Sequence, residues 1–295
     1  MLHPTPRLRK SAGPAKRTAL RPVTFVLGML ALAALAACAS GPAAKAPPGS
    51  DNAARKELAP SGTLRAAINF GNPILAARDD ATGEARGVSV DIARELGKRL
   101  GVPVQLVTYG AAGKVVEGAK SNEWDVAFVA IDPKRGADMA QTTPYVVIEG
   151  AYLVPQASPI RTNADVDRQG TRIVVGAGSA YDLYLTREIR NAQLVRAPTS
   201  PRVVDTLLEQ RMEVAAGVRQ QLEADARRLP GLRMLDGRFM VINQAMAMPL
   251  GRPAGERYLN AFVEEMKASG FVAQALARHR IEGAAVAPAD TAALR

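Results

Sequence analysis

An alternation of strand and helix patterns over residues 63–130 constrains this chain more than any other feature. Thr63–Ile68 (TLRAAI) reads as a strand. Val90–Leu100 reads as a helix: Ile92, Ala93, Leu96 and Leu100 share one face, and Arg94, Glu95, Lys98 and Arg99 fall largely on the other. Gly101 and Pro103 stop it. Val104–Val107 is a second strand and Lys114–Lys120 a short helix. Trp124–Ala130 (WDVAFVA) is an apolar third strand whose composition suits burial on both faces. This order implies βαβ units and a mainly parallel sheet. The pattern then restarts with a strand at Thr171–Val175, a glycine-rich turn at Gly176–Tyr181 and a helix over Asp182–Asn191. A helix over Val203–Gln210, an apolar strand at Met212–Val218 and a helix over Gln220–Arg228 follow. An amphipathic helix at Arg257–Lys267 carries Leu259, Phe262, Val263 and Met266 at helical spacing. The expected class is α/β, with two lobes and a cleft between them.

The N-terminus is of another kind. Six basic residues and no acid lie within residues 1–22, and Val23–Ala37 then runs without a charge. A basic segment, a short apolar core and small residues at its end read as a secretory signal peptide. The apolar run falls short of the ~20 residues that span a bilayer. The single cysteine, Cys38, ends this region in the sequence Leu35-Ala36-Ala37-Cys38. Those four residues resemble the bacterial lipoprotein signal. The resemblance implies cleavage after residue 37 and attachment of lipid to Cys38, with more than one acyl chain needed for stable anchoring. The formal charge of +10 includes the six basic residues of the leader, so cleavage leaves +4. That mild excess, with only 4% aromatic residues, does not argue for nucleic acid as a partner, and none is expected. Residues 38–61, rich in Ala, Pro and Gly, are expected to be lipid anchor and flexible linker, and the Ala-rich residues 283–295 a flexible tail.

Between linker and tail, several segments carry a family resemblance by their order. They are Gly62–Ile68, the helix Gly87–Val102 (GVSVDIARELGKRLGV), Trp124-Asp125-Val126-Ala127 and Thr143-Pro144-Tyr145. Together they resemble the bacterial extracellular solute-binding proteins of family 3, the polar amino-acid type that serves ABC importers. The resemblance covers about residues 62–282. It implies a type II periplasmic-binding-protein fold: lobe 1 from 62–151 plus 245–282, lobe 2 from 152–244, joined by crossings near Ala151–Val154 and Val241–Ala245. It also implies hinged closure on a ligand, and partners in a small carboxylated solute and an inner-membrane ABC permease. No cofactor and a monomeric state are expected.

The resemblance assigns the site as well. Ala130-Ile131-Asp132-Pro133-Lys134-Arg135 occupies the place of the family's run ending in a carboxylate-gripping arginine, so Arg135 inherits that role. A guanidinium fork suits a carboxylate, being charged at neutral pH and bidentate. Gly178, Ser179 and Tyr181 open a helix whose N–H groups attract anions, and Ser179 also suits a simple N-cap. Asn69 and Phe70 follow the first strand, where the family often places an aromatic against the ligand; core packing serves Phe70 equally.

Two departures bear on the ligand. Ala130 lacks the family's hydroxyl. Val218 and Arg219 stand where amino-acid binders carry an aspartate for the α-ammonium. Either Asp132 or Glu149 replaces it, or the ligand has no ammonium; Arg219 would then favour a dicarboxylate or other organic acid. A buried ammonium without a partner is costly.

The alternatives are an enzyme of the same fold, like the periplasmic cyclohexadienyl dehydratases, or a sensor without transport. Catalysis would need a positioned acid of raised pKa, with Glu149 as candidate. With His3 and His279 the only histidines, the sequence offers no metal-ligand cluster, and no G-x-S-x-G elbow is present.

Overall fold

The computed structural model describes residues 50–290 of the 295. The signal segment, Cys38 and the last five residues lie outside the described residues. Helix α1 (Ser50–Leu58) opens the chain, followed by β1 (Leu64–Asn69), the short hairpin β2 (Ala77–Arg78) and β3 (Ala85–Arg86), and α2 (Val88–Leu100). Then come β4 (Val104–Tyr109), α3 (Ala112–Lys120), β5 (Val126–Ala130), the single turn α4 (Pro133–Gly136) and the long β6 (Met139–Pro155). The next stretch holds β7 (Arg172–Gly176), α5 (Ala180–Glu188), β8 (Gln193–Ala197), α6 (Val203–Glu209), β9 (Val214–Val218), α7 (Arg219–Arg228) and β10 (Leu232–Met234). Finally β11 (Met240–Pro249), α8 (Pro253–Ala268), α9 (Phe271–Arg278) and β12 (Ala285–Val286) complete it.

The sequence dictates these elements locally. In α2, Ile92, Ala93, Leu96 and Leu100 are buried, and Gly101 ends the helix in the left-handed conformation, its N–H bonded to the Gly97 and Lys98 carbonyls. Every residue of β5 is buried, as its uninterrupted apolar run requires. Trp124, just before it, is fully buried and donates its indole N–H to the Val115 carbonyl at 2.9 Å. Asp125 is also fully buried, accepting from the Arg65 backbone and guanidinium, so its charge is matched.

Apart from the β2–β3 hairpin, the strands form one sheet in the order β4-β1-β5-β11-β6-β9-β7-β8, with β10 and β12 also paired to β6. β1 pairs in parallel with β4 and β5, and β7 in parallel with β8 and β9. Each half is thus a parallel α/β unit. β11 and β6 run antiparallel to their neighbours and join the halves. β6 pairs with β11 up to Gly150, then with β9 from Gly150 to Leu153. These are the two lobes of a type II periplasmic-binding-protein fold.

Two expectations need correction. The linker expected over residues 38–61 is helical from Ser50 to Leu58. Ala54 and Leu58, four residues apart, are fully buried, and Leu58 packs beside Gly255 at the start of α8. Glu57 accepts from the Gly255 N–H at 2.7 Å, satisfying a helix-terminal donor. The tail expected at 283–295 is paired at its beginning: Ala285 and Val286 add to β6 opposite Val147 and Val146, and Ala287 is buried. Lys267 donates to the Pro288 carbonyl at 2.9 Å, fixing this segment to α8.

Candidate functional site

A cavity of about 40 Å³ lies where the two parallel units face each other. That is a few times the ~10–15 Å³ one water needs. Its walls come from the carboxyl ends of the parallel strands and just beyond them: Asn69 at the end of β1 and Gly71 and Asn72 after it, Ala130 at the end of β5, Ser179 after β7 and Val218 at the end of β9. Open α/β sheets place ligands there because the backbone turns away and leaves a crevice. Leu75, Phe128 and Ile242 supply apolar wall.

Arg135 is the cation in this wall. Asp132 caps α4, accepting from the Lys134 N–H at 2.9 Å, and Pro133 fills the first helical position. This tight turn directs the Arg135 guanidinium inward, where the residue is 2% exposed. Nη1 donates to the Ala130 carbonyl at 3.1 Å and Nη2 to the Gly178 carbonyl, on the opposite lobe, at 2.8 Å. Nε is buried without a hydrogen-bond partner among the described residues. Burial pulls the Arg135 pKa down to about 10, with nearby Asp132 acting in the other direction. The group therefore remains a cation at neutral pH.

Beside the cavity the lobes touch at several points. Arg135 reaches Gly178; Arg187 of α5 reaches Asp132 at 2.9 Å; and the backbones of Gly113 and Gly178 come into direct contact, so that a Cβ on Gly178 would lie 2.9 Å from the Gly113 Cα. Gly178 is also left-handed, with φ of 68°. Both constraints demand glycine here.

Of the residues singled out in the sequence, Asn69, Ala130, Arg135, Ser179, Tyr181 and Val218 line this cavity, and Gly178 borders it through its bond to Arg135. Ser179 caps α5, accepting from the Asp182 N–H at 3.0 Å. Tyr181 is buried, which raises its pKa.

Other residues singled out in the sequence stand outside the cavity wall. Phe70 does not line the cavity; its half-buried ring packs on the core and carries the Arg78 guanidinium 4.6 Å from its centre. Arg219 does not line it either, and is bound to Glu149 at 2.9 Å. Asp132 is occupied by Arg187, and Glu149 by Arg219 and by Arg238 at 2.6 Å, so neither acid is placed to meet an ammonium. Hydrogen bonds from Arg238 and Arg219 hold the Glu149 pKa below its ordinary value, the reverse of what a general acid needs.

The sequence reading missed Asn72, Ser89, Ser200 and Gln244, all in the wall. Gln244 offered a signal: it is a buried polar residue opening the apolar run Ala245–Met248. Ser89 offered none, since its position depends on a hydroxyl contact of 3.2 Å with buried Tyr145, far along the chain.

Two α/β lobes enclosing a small cavity with a buried cation define a cleft-type small-solute binding protein. The description of "bacterial extracellular solute-binding proteins, family 3" matches residues 64–280. The chain belongs to that family. Among solved structures it is similar to a solute receptor for L-cysteine of Neisseria gonorrhoeae, at 23% identity and TM-score 0.68, covering 78% of this chain and 94% of that one. It is also similar to a putative ABC-transporter binding component of Wolinella succinogenes complexed with lysine, at 22% identity and TM-score 0.64, covering 74% and 95%. A third is the ancestral amino acid-binding protein AncCDT-1, a precursor of cyclohexadienyl dehydratase, at 18% identity and TM-score 0.65, covering 76% and 98%. A comparison with curated proteins finds no match. Among the described residues, no helix is long and apolar enough to cross a membrane, and no group of three or more His, Cys, Asp and Glu side chains could hold a metal ion.

Proposed function

We propose that this protein is the solute receptor of an ABC importer, anchored in the cell envelope through lipid on Cys38. It takes up a small carboxylated solute, an amino acid or related organic acid, between lobe 1 (62–151 plus 245–282) and lobe 2 (152–244). The observation that carries this is Arg135: a buried guanidinium with an unpartnered Nε, in a cavity between two lobes that it also ties together. Charge-assisted bonds from such a group to a carboxylate are strong, and a ligand spanning both lobes favours their closure. The similar proteins named for cysteine and lysine support a ligand of this class. A catalytic reading finds less support: no Asp or Glu among the described residues lines the cavity, and the candidate Glu149 is held ionised outside it.

The test is calorimetric titration of a panel of amino and organic acids into the chain and into Arg135→Gln. Removing one partner of a buried charged pair costs about 2–5 kcal/mol, a loss of roughly 30-fold or more. Retained affinity in Arg135→Gln would move the anchor elsewhere. Cys38→Ser should abolish incorporation of labelled fatty acid in bacteria, and labelling that persists would refute the anchor.

A further inference from the structure

Three features of the cavity bear on which acid it takes. First, Arg135 is the one charged residue among the described residues of the wall. The ionised groups around it are already matched: Asp132 with Arg187, Glu149 with Arg219 and Arg238, and Asp182 with Arg196 at 3.0 Å. A monoanion neutralises the site. A zwitterion brings a second cation into a cavity whose wall holds one cation and no anion of its own, and burial of an uncompensated charge is strongly unfavourable.

Second, two buried polar atoms in the wall lack partners, and they are of opposite character. Arg135 Nε is a donor and Asn72 Oδ1 an acceptor. A ligand that satisfies both carries an acceptor, such as a carboxylate oxygen, and a donor, such as a hydroxyl. Buried groups left unpaired are the exception in folded proteins. Third, the cavity is small and its apolar flank of Leu75, Phe128 and Ile242 suits a short carbon skeleton.

Resting on the reading of Arg135 as carboxylate anchor, we infer that the solute is a short-chain hydroxy acid without a charged amine: its carboxylate binds Arg135 and its hydroxyl donates to Asn72. The missing acid near Val218 is then the selectivity device, since it leaves an ammonium with neutral oxygens only.

Matched ligand pairs that differ only in this group test the inference: lactate against alanine and glycolate against glycine, both enantiomers where they exist. Each is titrated calorimetrically into the full chain after refolding from denaturant to remove carried solute. The hydroxy acid should bind at least tenfold more tightly than its amino partner. Equal or tighter binding of the amino acid would overturn the inference while leaving the Arg135 anchor intact. Binding of neither, with the protein folded by circular dichroism, would overturn the short-chain inference, and the wider panel titrated into Arg135→Gln then decides the anchor by itself. In Val218→Asp the preference should invert, because a carboxylate then faces the ammonium. A folded Val218→Asp that still prefers the hydroxy acid by the original factor would show that the missing acid does not set the choice.

Discussion

Gly178→Ala isolates how closely the two lobes must approach. Two costs add. The residue sits at φ of 68°, where an L side chain costs about 1–2 kcal/mol. Its new methyl would lie 2.9 Å from the Gly113 Cα and 3.2 Å from the Gly113 nitrogen. Both are backbone atoms, which cannot swing aside, so the lobes must part by several tenths of an ångström. Parting strains the bond from Arg135 Nη2 to the Gly178 carbonyl, and a hydrogen bond to a charged group is worth about 1.5–3 kcal/mol. Affinity for the solute should therefore fall roughly 10- to 100-fold. The folding cost should appear separately, as a melting temperature lowered by about 2–4 °C per kcal/mol for a domain of this size. Gly113→Ala is the control. Its methyl meets the Gly178 Cα at 3.6 Å and the Ala177 carbonyl at 3.8 Å, ordinary contacts, and its position is helical. Alanine there should stabilise by about 0.5–1 kcal/mol and leave affinity within about twofold of the parent. Calorimetry and thermal unfolding of both variants read the difference. Gly178→Ala with parental affinity would refute the argument that this contact limits closure.

Leu58→Ala should destabilise by about 2–5 kcal/mol, because Leu58 is fully buried between α1 and α8; unchanged denaturant unfolding would return this segment to the status of a tether. Binding of a monocarboxylate should be flat with pH from about 5 to 9, where the carboxylate is ionised and Arg135 protonated, and should weaken above about 10. The sign follows from the lowered pKa: Arg135 before binding loses its proton above that point, so a rising pH removes the charge that attracts the anion. An affinity that changes several-fold between pH 6 and pH 8 would mean that another titrating group lines the site.

The sequence disclosed elements whose burial pattern is local and hid those that depend on distant partners. Helix α2 and strand β5 were legible because each carries its whole apolar face in consecutive turns or residues. Helix α1 was not, because Ala54 and Leu58 alone bury its face among the described side chains and Pro47, Pro48 and Gly49 precede it. Strand β6 mixes Thr, Pro, Glu and Gly into its length, since it serves different neighbours at its two ends. The site divides in the same way. Arg135 was legible from a resemblance and a turn following a buried strand. Arg219 was misplaced because its direction is set across the sheet: Gly150 pairs with Val218, which brings Glu149 to Arg219 and draws that charge away from the cavity.

Which cross-lobe contact matters for selectivity depends on the neighbours of each. The bridge from Asp132 to Arg187 has a buried carboxylate but a guanidinium that is 43% exposed, and water screens the exposed partner, so its contribution is at most about 1 kcal/mol. It is also indifferent to the solute, since neither residue lines the cavity. Arg135 differs on both counts. Its charge is desolvated, it bonds to both lobes only through neutral carbonyls, and one of its donors is unpaired. An anion placed against it offsets a desolvation cost that nearby Asp132 compensates only in part. A ligand gains from that arrangement in proportion to its net negative charge near Arg135, which an added ammonium cancels. Exchanging Arg187 for Ala should therefore weaken all solutes by a similar small factor, whereas changes at Val218 or Asn72 should alter the ratio between solutes, and competition titrations in the two kinds of variant separate the roles.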